Sequence, residues 1–68
     1  MIDINHGEIV ELCVDVLITC IRGIYEGEEE DYYILRVQSA YEDVVVYVKK
    51  DYVIVLKKVY PHGQAQLT

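Results

Sequence analysis

The sequence predicts a small all-β domain. Two runs rich in β-branched residues, 44–48 and 52–56, flank the charged triplet Lys49, Lys50 and Asp51. A third apolar run, Tyr32, Tyr33, Ile34, Leu35, Arg36 and Val37, follows an acidic turn that begins near Gly27. Polar and charged residues separate these runs.

In chain order, the first stretch to interpret is residues 9–21, and it fits two patterns. Ile9, Leu12, Cys13, Val16, Leu17, Cys20 and Ile21 make a helical stripe, whereas Val10, Leu12, Val14, Val16, Ile18 and Cys20 alternate as a strand does. Asn5 with Glu8 three residues on resembles a capping box and Gly23 a helix stop, while seven of the thirteen residues are β-branched. Strand is the reading taken, with a short N-terminal helix kept as the alternative. The strand beginning at Tyr32 is expected to pair with the segment ending at Ile24 and Tyr25. Residues 44–48 and 52–56 are expected to be two strands joined by a tight charged turn. From Pro61 the chain has no period, so residues 1–60 read as one domain and 61–68 as a flexible tail.

Sixty-eight residues make one domain, and a core of this size is marginal alone. Both late strands are apolar at successive positions, which is the pattern of strands covered on both faces. So small a domain cannot easily cover them itself, and self-association is the expected remedy. Val44, Val46, Val48, Val53 and Val55 are the expected interface residues.

Net charge is −6 and unevenly placed. Residues 1–34 carry Arg22 alone against nine carboxylates, a net of −8, and residues 35–68 carry five cations against three, a net of +2. An acidic chain repels nucleic acid at long range, so any RNA contact must use a local basic rim. No signal segment or apolar membrane span is expected, because Glu11, Asp15 and Arg22 interrupt the one apolar stretch. Cys13 and Cys20 lack a Cys-x-x-Cys spacing and read as core thiols in a reducing cytoplasm. In a single strand, the two would face opposite ways.

Catalytic and cofactor signals are thin. His6 and His62 lie near the ends, no glycine cluster makes a phosphate loop, and residues 26–31 lack the ligand spacing of a calcium loop. No enzyme, cofactor or metal site is expected. Lys49, Lys50, Lys57 and Lys58 with Tyr52 between them are the one basic and aromatic grouping.

Set in order, Gly23, Glu30, Tyr32 and Ile34-Leu35, then Tyr47-Val48, Lys49-Lys50, Asp51-Tyr52 and Val53, resemble the two motifs of the Sm-like family, including bacterial Hfq, across about residues 8–58. The resemblance implies a strongly bent, five-stranded Sm-like or SH3-like barrel. It also implies a homo-oligomeric ring, closed by pairing of the fourth and fifth strands between neighbours, which would cover both apolar strands. Single-stranded RNA is the ligand class the family suggests, with Tyr32, Lys49 and Lys50 as the residues expected to contact it. Ile34 stands where the family's uridine pocket has an Asn, Lys49 where it has an Arg and Lys50 where it has a Gly. Ring architecture is therefore better supported than RNA recognition, and the reading is a ring that binds single-stranded RNA or serves as a scaffold. The competing reading is an acidic protein-interaction module or inhibitor that presents its carboxylate turn to a basic protein partner.

Overall fold

The structure, a computed structural model, describes residues 3–15 and 19–60. The expected tail at 61–68 lies outside the described residues. Five strands form one antiparallel sheet: β1 (Ile9–Val14), β2 (Thr19–Glu29), β3 (Tyr32–Gln38), β4 (Asp43–Lys49) and β5 (Val53–Lys58). Their order across the sheet is β4-β3-β2-β1-β5. The all-β expectation holds.

Residues 9–21 are not one strand. Val14 ends β1 and Thr19 begins β2, and the two pair with Leu12 opposite Ile21 and Cys13 opposite Cys20. No helix precedes them among the described residues. The capping-box pair closes a turn instead: Asn5 N–H donates to Glu8 Oε1 at 2.8 Å and Glu8 N–H to the Asn5 carbonyl at 3.1 Å. Gly7, at φ +96°, then turns the chain so that its N–H reaches the Tyr25 carbonyl, and Tyr25 N–H returns to Glu8. A Gly in this region is what permits an extended ladder to start where a helix would otherwise continue.

β2 is long because it bends. A bulge at Glu26, with Gly27 at φ +130°, shifts its register against β3 between Tyr25 and Gly27. A two-residue loop, Glu30 and Asp31, follows. Here Glu30 sits at φ +51°, a left-handed conformation that costs a side chain on the order of 1–2 kcal/mol.

Glycine is required at Gly23 for a different reason. A Cβ there would stand 2.8 Å from the Arg36 carbonyl oxygen and 3.3 Å from Val37 Cγ2, so β2 and β3 approach closely only without it.

β4 and β5 are consecutive but not paired with each other. A single 3₁₀ turn, Lys50–Tyr52, links them. Its ends are held apart, Lys50 N–H by the Asp31 carbonyl and the Tyr52 carbonyl by Asp15 N–H, each at 2.7 Å. β4 therefore runs beside β3, while β5 crosses to β1. The expected closed barrel is corrected to an open, bent sheet with β4 and β5 at its two edges.

The inner face holds the core of Val10, Leu12, Tyr25, Leu35 and Leu56, with Ile21, Tyr33, Val46, Val48 and Val53 packed against it. Each fully buried aliphatic side chain contributes roughly 1.5–3 kcal/mol, so three of them, Val10, Leu12 and Leu35, hold much of the fold.

Cys13 and Cys20, expected as free thiols, form a disulfide. The hairpin is the reason. Residues that would face opposite ways along one strand face each other across two, with Cα atoms 4.0 Å apart. No helix of the described residues is long and apolar enough to cross a membrane.

Candidate functional site

The pleat sorts the expected RNA-contacting residues onto two faces. Tyr32 stands directly opposite Lys49 on the outer face of β3 and β4. Tyr47, two residues before Lys49, shares that face, and its ring meets Tyr32 edge-on at a centroid distance of 6.2 Å. Tyr47 is 56% exposed. Lys49 has no ion-pair partner among the described residues. Tyr32, Tyr47 and Lys49 thus form one aromatic and cationic surface, with Ile34 beside them opposite Tyr47.

Lys50 goes elsewhere. At the start of the 3₁₀ turn it swings to the inner side, where Nζ pairs with Glu28 and lies 5.3 Å from the Tyr33 ring centroid. Tyr25 Oη donates to the other Glu28 oxygen at 3.3 Å. Glu28 is held below the ordinary carboxylate value by its hydrogen bond with Lys50, and Lys50 is raised by the same bond. Burial pushes the Tyr25 phenol up, with Glu28 adding to the shift. This cluster caps the end of the core between β2, β3 and the turn. It leaves Lys50 committed to Glu28 and not to the Tyr32 surface.

The expected interface residues divide similarly. Val46, Val48 and Val53 lie partly buried against the chain's own core, whereas Val44 and Val55 are exposed. The outward residues between them, Val45, Tyr47 and Ile54, are also exposed, Ile54 at 53%. β4 offers an apolar run from Val44 to Val48, and β5 one from Val53 to Leu56, each at a sheet edge whose outer side has no strand among the described residues.

A second surface had no counterpart in the sequence reading. On the outer face, Ile9 pairs with Ile24 and Ile24 with Arg36, while Glu11 pairs with both Arg22 and Lys57. Arg36 Nε donates to Glu26 Oε2 at 2.8 Å, which lowers the Glu26 carboxyl, and His6 Nε2 lies 3.0 Å from the other oxygen. Only the register reveals these neighbours, because Arg22 and Arg36 are far apart in the chain.

The chain matches no family model, and neither a curated protein nor a solved structure matches it.

Proposed function

We propose that the chain is a non-catalytic scaffold of the Sm-like type that assembles into a ring, β4 of one subunit pairing with β5 of the next. The observation that carries this reading is the placement of the two apolar strands at opposite edges of one sheet. An exposed apolar edge is a template for another strand unless charge, proline or a covering segment blunts it. Residues 44–48 and 53–56 contain no charge and no proline. In antiparallel pairing, Asp43 at the start of β4 comes beside Lys57 and Lys58 at the end of β5, and Val45, Tyr47, Ile54 and Val55 leave water together. Two unlike edges meet head to tail, a geometry that closes into a ring or grows as a filament. The motif resemblance across residues 8–58 favours closure. Native mass spectrometry tests it: a ring gives one stoichiometry at all concentrations, whereas a filament gives a ladder of masses, which contradicts the reading.

Single-stranded RNA is the ligand class supported by one specific observation, the Tyr32 and Tyr47 rings beside Lys49, which has no ion-pair partner among the described residues. A stacked base contributes on the order of 1–3 kcal/mol, and repetition around a ring multiplies weak sites. Glu29 at the end of β2 and the loop carboxylates Glu30 and Asp31 oppose it, so affinity should be modest and steeply salt-dependent. Oligo-uridine titrated at low and moderate salt should bind wild type and lose affinity in Tyr47→Ala and Lys49→Ala. Absence of binding at low salt, or indifference to both substitutions, favours the acidic interaction module instead.

A further inference from the structure

The outer face of β1, β2 and β3 carries an open trough of about 480 Å³, lined by Gly7, Ile9, Arg22, Gly23, Ile24, Arg36 and Gln38. In a chain with twelve carboxylates and six Lys or Arg, this lining includes two of the cations and none of the acids. We propose that the trough binds a phosphomonoester of about nucleotide size, its phosphate between Arg22 and Arg36 and its apolar body on Ile9 and Ile24.

Three features support the assignment. The first is that the guanidiniums are held at their outer sides. Glu26 accepts from Arg36 Nε at 2.8 Å, and Glu11 lies 4.0 Å from Arg22 Nε. The terminal nitrogens of both make no hydrogen bond with the described residues, and a planar guanidinium fork matches phosphate oxygens better than a point charge does. Charge balance is the second. Arg22, Arg36 and Lys57 stand against Glu11 and Glu26, with Lys57 sharing Glu11 at 3.6 Å, so the cations exceed the carboxylates by one. Asp43, opposite Gln38, bounds the positive surface on the β4 side. Guanidiniums hold phosphate oxygens through charge-assisted, often bidentate hydrogen bonds. Third, the volume lies in the range of small-molecule sites, and the aliphatic floor with one amide, Gln38, suits a body that is mostly apolar with a few polar atoms. The trough uses neither sheet edge, so the proposal stands apart from ring assembly.

The test is an amide chemical-shift titration of the full chain with adenosine monophosphate, adenosine and inorganic phosphate at matched ionic strength. Adenosine monophosphate should give saturable shifts concentrated at residues 22–24 and 36–38, inorganic phosphate weaker ones at the same amides, and adenosine none. Arg22→Gln should lower the nucleotide affinity about tenfold, the effect of losing one charge-assisted contact. Because the Arg22 side chain is mostly exposed and no hydrogen bond depends on it, that variant keeps the fold. Asp51→Asn, in the exposed turn outside the trough, should leave affinity unchanged. Shifts that fail to saturate, that spread equally over Lys49, Lys57 and Lys58, or that survive Arg22→Gln would overturn the proposal.

Discussion

Cys13 lies directly opposite Cys20 across β1 and β2 and is bonded to it, while on its other side it stands opposite Val55 of the edge strand β5. The bond therefore ties β2 to β1, the strand on which the β5 edge is laid. Closing a loop of this length removes chain entropy worth about 2.5 kcal/mol from the unfolded state. Reduction, or Cys13→Ser with Cys20→Ser, should lower the free energy of unfolding by about 2–3 kcal/mol. Denaturant titrations with and without a dithiol check this. Identical midpoints would mean that the hairpin does not rely on the bond.

Gly23 should tolerate no side chain. Alanine would drive a methyl into the Arg36 carbonyl, which is backbone and cannot rotate away. Overpacking of this kind costs about 1–3 kcal/mol, a large share of a small domain's stability. Thermal unfolding of Gly23→Ala should show a clearly lowered midpoint, whereas Gly7→Ala meets no atom and is strained only through its φ.

Acid should weaken the fold through Glu26 and Glu28. Both carboxyls are lowered in the folded protein, first by hydrogen bonds from Arg36 and Lys50 respectively. Their contribution is complete above the ordinary carboxylate value of 4.5 and is lost as pH falls through the lowered folded values. Denaturation midpoints measured from pH 7 down to pH 3 should fall below about pH 4.5, and Glu28→Gln should flatten that dependence. Glu29→Gln, in the exposed end of the hairpin, should not. An equal slope in wild type and Glu28→Gln would contradict the pairing with Lys50.

Much of the sheet was legible in the residues. β3 announces itself by its aromatic and aliphatic run, and its pairing with the stretch through Tyr25 was expected, but β2 runs on to Glu29, so most of the expected acidic turn is strand and only Glu30 and Asp31 form the loop. β4 and β5 were readable as strands, but their separation to opposite edges was implied by the family resemblance alone; it depends on two backbone hydrogen bonds at the intervening turn, Asp15 N–H to the Tyr52 carbonyl and Lys50 N–H to the Asp31 carbonyl. The break between β1 and β2 left Asp15 as its one polar mark within an apolar stretch, so Cys13 and Cys20 were placed on one strand and their bond was missed. Lys49 and Lys50 show a finer limit. Adjacent residues at a strand end point to opposite faces, and only the local turn decides that Lys50 reaches Glu28 while Lys49 stays beside Tyr32. The trough could not be read at all, since strand register is what brings Arg22 and Arg36 together.

Self-association through the two sheet edges is read straightforwardly from the molar mass of the chain in solution. Light scattering on the purified chain at micromolar concentration should give a mass several times 7.9 kDa, and Val55→Lys should reduce it toward that of one subunit. Burying an unpaired charge within an apolar strand costs several kcal/mol, roughly, so the β5 edge could not keep its partner. A uniform 7.9 kDa species for the wild type, or an undiminished assembly in Val55→Lys, would contradict the account.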